Sequence, residues 1–225
     1  MTTSDQPRRR PRFLTVSTAA VLAVGFAGYQ SVRVEASENG VPTVFIGDSI
    51  TEADTATPTD LPGRRSWLRY VVTDDRTPWR YVANEAVAGE TLGEMAARFE
   101  RDVLARDPRA VVIMGGTNDV RLGVDVDDSV AALASMVQRA QGAGADVWIV
   151  SPPPLERAGW GDVGDLIEAE RELAEDLDVP FVDVVDSLGV GGEDRWREGY
   201  AADGVHPTRD GARALGAAVL GAVSR

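Results

Sequence analysis

The sequence of 225 residues contains no cysteine and no lysine, and its only histidine is His206. Without cysteine the chain can form no disulfide, no catalytic thiolate and no cysteine-ligated metal site. All 23 basic residues are arginine, which we attribute to GC-rich coding and not to a binding function. A chemistry that needs an imidazole therefore has one residue available.

Beyond the N-terminus, acidic residues outnumber the arginines. The formal net charge is −13; residues 1–33 hold five arginines and one aspartate, a net of +4, which leaves −17 for residues 34–225. An acidic domain repels phosphates, so we predict that nucleic acid is not a partner. The length suits one domain with a sizeable core, and the 44% apolar and 26% charged residues are typical of globular proteins.

The N-terminus has the layout of an export or anchoring signal. An arginine-rich stretch, residues 8–12, precedes the uncharged segment 14–29, and a polar stretch follows. The uncharged segment is somewhat shorter than the roughly 20 residues that span a bilayer. We predict that residues 1–36 are a signal anchor or a cleaved signal peptide, two alternatives that the sequence leaves open. The arginines place residues 37–225 outside the cytoplasm, held at the membrane if the segment is not cleaved.

From residue 41 onward, short runs of β-branched and aromatic residues alternate with longer segments of helical periodicity. The pattern predicts strands at 42–46, 79–83, 110–114, 146–150 and 179–184. It predicts helices at 66–74, 91–105, 127–142, 162–177 and 210–223. This alternation is typical of an α/β fold with a five-stranded parallel sheet. In such a sheet the ligand site lies beyond the carboxyl ends of the strands.

Ser49 comes directly after the first predicted strand, in the sequence VFIGDSIT. The surroundings lack the G-x-S-x-G motif of a nucleophile elbow, so an activating base must come from elsewhere in the chain. Residues 49–52 also match a capping box, in which Ser49 is the N-cap of a helix and Glu52 its partner. Ser49 is therefore a candidate both for a helix cap and for a nucleophile.

His206 lies in the sequence DGVHPT, after the last predicted strand. Asp203 comes three residues earlier, and Pro207 restrains the backbone of His206 toward extended conformations. An aspartate in this position can accept a hydrogen bond from one imidazole nitrogen and leave the other to take a proton from a serine. Alternatively, the segment is simply a turn into the last helix, with Thr208 as its cap.

Two further segments offer hydrogen-bond donors after predicted strands. Gly89, in NEAVAGET, lacks a Cβ, so its backbone N–H can approach a reacting atom closely; Asn118, in GGTND, has a side-chain amide. With the backbone N–H of Ser49 they are candidates for stabilising an oxyanion. A turn glycine and an Asx turn are the structural alternatives. We interpret Asp119 as structural, with bonds inside its own turn.

The four segments FIGDSIT, NEAVAGET, GGTND and DGVHPT, in this order, closely resemble the four sequence blocks of the SGNH/GDSL hydrolases. The resemblance extends from residue 41 to the C-terminus, with one departure: the second block often reads asparagine, a small residue, glycine, and this sequence has Glu85-Ala86-Val87 in place of that glycine. It implies a flavodoxin-like three-layer α/β/α sandwich and a serine ester hydrolase that needs no metal and no cofactor. Ser49 would be the nucleophile, His206 the base and Asp203 its orienting partner. Ser49, Gly89 and Asn118 would form the oxyanion hole.

The resemblance leaves the substrate open among acyl esters of small molecules, lipids and carbohydrates, and the sequence does not reveal the oligomeric state. Three aromatic residues, Trp160, Trp196 and Tyr200, follow the last two strands and are candidates for lining a substrate groove or for packing.

Three other functions fit parts of the sequence. An acyltransferase would use the same three residues to move the acyl group to a sugar or lipid alcohol. A catalytically silent carbohydrate-binding module would be expected to have lost some of these residues, and all are intact. A mononucleotide-binding protein would need a phosphate cradle after the first strand, where Asp48 disfavours an anion.

Overall fold

A computed structural model describes residues 35–191 and 195–224 of the chain. The predicted signal segment, residues 1–36, lies almost wholly outside the described residues, so its role stays a prediction. In the part of the chain that is described, no helix combines the length and the apolar character needed to cross a bilayer.

Five strands form a single sheet in which every pairing is parallel. They are β1 (Val41–Gly47), β2 (Trp79–Asn84), β3 (Ala110–Met114), β4 (Asp146–Val150) and β5 (Phe181–Val182). Their order across the sheet is β2-β1-β3-β4-β5, so β1 lies inside the sheet, between β2 and β3. The predicted parallel five-stranded sheet is confirmed, although β5 keeps only two residues of its predicted range.

The predicted helices are also present, with small changes at their ends. They are α2 (Trp67–Val72), α3 (Leu92–Asp102), α5 (Val126–Gly142), α6 (Gly164–Asp176) and α8 (Arg209–Val223). Three shorter helices complete the series: α1 (Ser49–Glu52), α4 (Thr117–Leu122) and α7 (Val185–Leu188). The predicted segment 91–105 divides into α3 and a 3-10 turn at Leu104–Arg106. Thr208 is the N-cap of α8 and accepts a hydrogen bond from the backbone N–H of Gly211, as the capping alternative predicted.

Helices cover both faces of the sheet, because the buried strands are apolar on both sides. Val44 and Ile46 belong to a core cluster that contains the buried faces of α3 and α5, whereas Phe45, between them, packs with α2 and α8. The predicted three-layer α/β/α sandwich is therefore confirmed. Complete burial of one such side chain contributes about 1.5–3 kcal/mol, so the two clusters fix the sheet firmly.

The sheet brings the predicted site segments to one edge. Segments that begin at the carboxyl ends of β1, β2 and β3 carry Ser49, Gly89 and Asn118, and the loop before α8 carries His206. All four residues line one cavity.

Candidate active site

Ser49, His206 and Asp203 form a continuous hydrogen-bonded line. The Oγ of Ser49 lies 3.0 Å from Nε2 of His206, and Nδ1 of His206 lies 2.9 Å from Oδ2 of Asp203. A carboxylate can only accept hydrogen bonds, so Nδ1 carries the hydrogen and Nε2 is left to accept from the hydroxyl of Ser49. The three residues that sequence analysis singled out thus meet, although 157 positions separate Ser49 from His206.

Asp203 also shapes its own loop. Its Oδ1 accepts hydrogen bonds from the backbone N–H groups of Val205, at 3.0 Å, and His206, at 2.8 Å. Partial burial alone would raise the pKa of Asp203, but the hydrogen bonds from His206 and Val205 outweigh it and lower the pKa to about 2. Asp203 is therefore ionised throughout the neutral range and can hold a positive imidazole.

The N-cap of α1 is Asp48 and not Ser49, so the predicted capping box is wrong. Oδ1 of Asp48 accepts from the backbone N–H of Ile50 at 2.9 Å, and Ser49 is the first helical residue. Glu52 instead accepts from the backbone N–H of Ala88 at 2.8 Å. Because the preceding carboxylate already caps the helix, the hydroxyl of Ser49 is free to face His206.

Asp48 is almost completely buried behind the serine, with 1% of its surface exposed. Burial raises its pKa to about 6, against the opposing effects of the hydrogen bond from Ile50 and the nearby imidazole of His206. Its Oδ2 lies 3.5 Å from Nδ2 of Asn118, at the limit of hydrogen-bond distance. Asp48 thus touches both the helix that carries the serine and a predicted oxyanion donor.

The predicted oxyanion donors lie in the same cavity as Ser49. Gly89 has a φ of +87°, which only glycine adopts without strain, and no atom lies within 4 Å of where a Cβ would be. The Nδ2 of Asn118 donates to the carbonyl of Glu90 at 3.1 Å, and its Oδ1 accepts from Nε of Arg121 at 3.0 Å. These two bonds fix the orientation of the amide, and its second hydrogen is only weakly engaged.

Asp119 is structural, as predicted, but its bonds reach beyond its own turn. Its carboxylate accepts from the backbone N–H of Leu92 at 3.0 Å and from the hydroxyl of Ser129 at 2.9 Å. Burial raises its pKa. The side chain therefore joins the starts of α3, α4 and α5 behind Asn118, a role that spacing along the sequence did not indicate.

The cavity has a volume of about 520 Å³ and opens to solvent. Of the three aromatic residues that were candidates for lining a groove or for packing, only Trp160 lines the cavity. Trp196 is 5% exposed and belongs to the core cluster beside α2 and α8, and Tyr200 packs against the same cluster. The packing alternative therefore holds for these two residues.

Two arginines that sequence analysis missed also line the cavity. Arg121 follows Asn118 by one helical turn of α4, and this i, i+3 spacing is a signal that could have indicated the contact. Arg157 belongs to the loop after β4, and its Nη1 lies 3.4 Å from Oδ2 of Asp203. Its distance of 46 positions from Asp203 offers no such signal.

A backbone hydrogen bond joins the loop after β4 to the loop that carries the histidine. The backbone N–H of Glu156 donates to the carbonyl of Gly204 at 2.8 Å. Gly204 has a φ of +77°, and a Cβ there would lie only 1.8 Å from the carbonyl oxygen of Glu156. This close backbone contact requires glycine between Asp203 and His206.

Metal ligands do not gather at this site. Across residues 35–191 and 195–224, no three histidine, aspartate or glutamate side chains lie in an arrangement that could hold a metal ion.

Comparisons with known proteins identify the family to which the chain is similar. The family model described as GDSL-like lipase/acylhydrolase matches residues 45–214. An acetylxylan esterase from Geobacillus stearothermophilus is 27% identical over 210 residues, which cover 81% of this chain and 93% of that protein. A crystal structure of an acetylxylan esterase from Geobacillus stearothermophilus superposes with a TM-score of 0.67 and 26% identity, over 84% of this chain and 96% of the other.

A shorter match, 32% identical over 79 residues, involves a Bacillus subtilis (strain 168) protein named uncharacterized lipoprotein YqeF. It spans 35% of this chain and 32% of that protein. The family match covers all four sequence blocks, and the similar proteins of known activity cleave esters. The chain therefore belongs to the GDSL-like lipase/acylhydrolase family, the SGNH/GDSL hydrolases, and is an ester hydrolase.

Proposed function

We propose that this enzyme cleaves carboxylic esters through an acyl-enzyme formed on Ser49. The observation that carries the proposal is the line of hydrogen bonds from Ser49 through His206 to Asp203, at 3.0 and 2.9 Å. A serine hydroxyl is a weak nucleophile by itself, and a neighbouring base that accepts its proton activates it. The carboxylate of Asp203 would hold the imidazole in the required tautomer and stabilise its positive form.

In the first half of the reaction, Oγ of Ser49 attacks the carbonyl carbon while its proton passes to Nε2 of His206. A C–O bond forms, and the carbonyl oxygen becomes an oxyanion. The oxyanion then collapses, the bond to the alcohol oxygen breaks, and His206 gives its proton to the departing alcohol. The acyl group is left on Ser49.

In the second half, a water molecule attacks the acyl carbon and gives a proton to His206. When the second tetrahedral intermediate collapses, the bond to Oγ breaks and the proton returns from His206 to Ser49. The products are a carboxylic acid and the free enzyme. The half-exposed ring of His206, with 51% of its side-chain surface accessible, allows water to reach this position.

The backbone N–H groups of Ser49 and Gly89 and the amide of Asn118 would bind the oxyanion in both intermediates. The positive φ of Gly89 and the weakly engaged second hydrogen of Asn118 support this assignment. Each donor of this kind is typically worth about 3–4 kcal/mol in the transition state.

For the substrate we propose an ester of a small acyl group, such as acetyl, on a carbohydrate or another alcohol. The similarity to an acetylxylan esterase supports the acetyl group and the carbohydrate. An extracytoplasmic location fits such a substrate. It is supported by the basic and apolar pattern of residues 1–36 and by the partial similarity to a lipoprotein.

Acyl transfer to a second alcohol is the alternative that one feature of the site favours. A smaller cavity of about 180 Å³ also borders Ser49 and His206, and it gives room for an acceptor beside the acyl group. Comparing products with and without added sugar alcohols distinguishes transfer from hydrolysis. The intact hydrogen-bonded line argues against a catalytically silent carbohydrate-binding module.

Hydrolysis of p-nitrophenyl acetate by the full chain tests the proposal. We expect Ser49→Ala and His206→Ala each to lower kcat by at least about 10⁴-fold, because nucleophile and base act as a unit. Asp203→Asn should cause a smaller loss than Ser49→Ala. Arg76→Gln, an exposed arginine outside the cavity lining, is the control that should retain full activity.

Acid quenching during turnover gives the second measurement. Mass spectrometry should find the acetyl group on the peptide that contains Ser49. A Ser49→Ala protein that hydrolyses the ester at the wild-type rate would refute the nucleophile assignment.

A further inference from the structure

One wall of the cavity includes two arginines and one tryptophan in contact. The guanidinium carbon of Arg121 lies 5.7 Å from the ring centroid of Trp160, and that of Arg157 lies 5.3 Å from the same ring. All three side chains line the cavity that contains Ser49. Stacking on a shared indole restricts both guanidinium groups and holds them near the site.

Both arginines retain side-chain N–H groups that no residue of 35–191 and 195–224 accepts. Arg121 donates through Nε to Asn118, and neither of its Nη atoms has a hydrogen bond or an ion pair within the described residues. Arg157 is engaged only through Nη1, at 3.4 Å from Asp203, so its other donors are likewise without a partner in that part of the chain. Guanidinium groups bind carboxylate and phosphate through pairs of parallel hydrogen bonds, and here such donors are available.

The local charge contrasts with that of the domain. Residues 34–225 carry a net −17, yet the charged side chains of the cavity lining are Arg121, Arg157 and Asp203, with His206 beside them. Asp203 contacts both His206 and Arg157 and offsets one positive charge, so the two arginines leave the wall with a net positive charge. The acidic surface elsewhere repels anions, and an anionic ligand is therefore favoured only where direct contacts to these arginines are made.

We propose that Arg121 and Arg157 bind an anionic group, a carboxylate or a phosphate, carried by the ester substrate. The inference rests on the proposed function, because it assigns the substrate class of the same cavity. The anion belongs to the alcohol portion of the ester if the acyl group is acetyl, or to the acyl portion if the acyl group is longer. Arginines that only packed against Trp160 would not distinguish charged from neutral esters. The ratio of kcat/KM for anionic and neutral esters is therefore the property to measure.

Matched acetate esters test an anion in the alcohol portion. The substrates are 4-acetoxybenzoate, 4-acetoxyphenyl phosphate and the neutral 4-acetoxybenzamide, and each kcat/KM is divided by the rate constant for hydroxide-catalysed hydrolysis. The p-nitrophenyl monoester of adipic acid, compared with p-nitrophenyl hexanoate, tests an anion in the acyl portion. We expect at least a tenfold preference for the anion in one of the two arms at low ionic strength, which decreases as salt is added.

Variants then assign the preference to the two arginines. Arg121→Gln and Arg157→Gln should each lower the ratio of anionic to neutral kcat/KM, and the double variant should bring it close to one. The neutral substrate will also react more slowly, because these side chains touch Asn118 and Asp203. The ratio separates binding of the anion from such general damage. Arg76→Gln removes the same charge outside the cavity lining and should leave the ratio unchanged.

Calorimetry with the Ser49→Ala protein separates this inference from the proposed function. This protein should bind the favoured anionic ester more tightly than its neutral counterpart, whether or not any ester is hydrolysed. Hydrolysis of neutral esters without an anionic preference in either arm would overturn the inference and leave the proposed function standing. If no ester were hydrolysed, the proposed function would fail, and the binding data alone would decide the inference.

Discussion

The Nη1 of Arg157 lies 3.4 Å from Oδ2 of Asp203, the same oxygen that accepts the hydrogen bond from Nδ1 of His206. A guanidinium and an imidazole thus share one carboxylate at the end of the hydrogen-bonded line. The side chains of Arg157 and Asp203 are 46% and 40% exposed, so solvent screens the pair and weakens its effect.

The first prediction concerns the contact of Arg157 with Asp203. Arg157→Gln removes a positive charge beside the carboxylate that also holds the imidazole, whereas Arg157→Lys keeps the charge. Because solvent screens the pair, we expect kcat/KM for p-nitrophenyl acetate at neutral pH to fall only a few-fold in Arg157→Gln and to stay near the wild-type value in Arg157→Lys. A loss in Arg157→Gln as large as that in Asp203→Asn would contradict this account.

The second prediction concerns the left-handed backbone at Gly89. Alanine there meets no atom within 4 Å, but its φ of +87° costs about 1–2 kcal/mol, so the loop should relax and turn the N–H away from the oxyanion. We expect kcat for p-nitrophenyl acetate to fall about tenfold or more in Gly89→Ala. Gly144→Ala is the matched control, since Gly144 has a φ of +80°, an equally open surround and a place before β4. It should lose similar stability in urea and keep its kcat; equal kcat in both variants would count against the Gly89 donor.

The third prediction concerns the buried carboxyl of Asp48. Its pKa of about 6 in the folded protein exceeds the usual 3.8, so the folded state binds the proton more tightly than the unfolded state. This contribution to stability is present at low pH and is lost as the pH rises from about 4 to 6. Asp48→Asn keeps an oxygen to cap α1 but does not titrate. Its free energy of unfolding relative to wild type should increase by about 2 kcal/mol between pH 4 and 7, measured by urea unfolding. A difference independent of pH would show that Asp48 is not protonated in this range.

The fourth prediction concerns Glu170 of α6, which is 1% exposed. Its Oε2 has no hydrogen-bond partner among the described residues, and burial raises its pKa well above the usual value. Ionisation of the unfolded chain therefore lowers stability as the pH rises above about 4.5, by about 1.4 kcal/mol per pH unit until the folded-state pKa is reached. We expect Glu170→Gln to gain stability relative to wild type as the pH increases from 5 to 8, measured by thermal unfolding with enthalpy correction. A constant difference would contradict the raised pKa.

The sequence predicted the sheet well because each buried strand is marked by the residue types within its own short segment. Strands buried on both faces need continuous apolar, β-branched runs, and those runs mark four of the five strands nearly to the residue. Ser49, Gly89 and Asn118 could be found because parallel strands bring their following segments to one edge. His206 could be found because it is the only histidine and has an aspartate three residues before it.

The remaining features of the site could not be predicted, because they depend on a choice between neighbouring residues or on contacts between segments that are distant in sequence. Both Asp48 and Ser49 are good caps, and only the folded turn decides that the aspartate caps α1. Trp196 is buried in the core cluster beside α2 and α8, and its place in a loop could not decide between packing and a groove. Arg157 joins the site through a loop-to-loop contact, for which no periodicity exists. The helices α4 and α7 are too short to show a period at all.

The hydrogen bond between Glu156 and Gly204 couples the position of the loop after β4 to that of the loop that carries the histidine. Arg157 and Trp160 belong to the first of these loops, and Asp203 and His206 belong to the second. An insertion or deletion in the loop after β4 that changed which esters fit would also displace the imidazole from Ser49. Changes of substrate preference at this wall are therefore expected to arise through replacement of side chains, while the length of the loop is conserved along with Gly204.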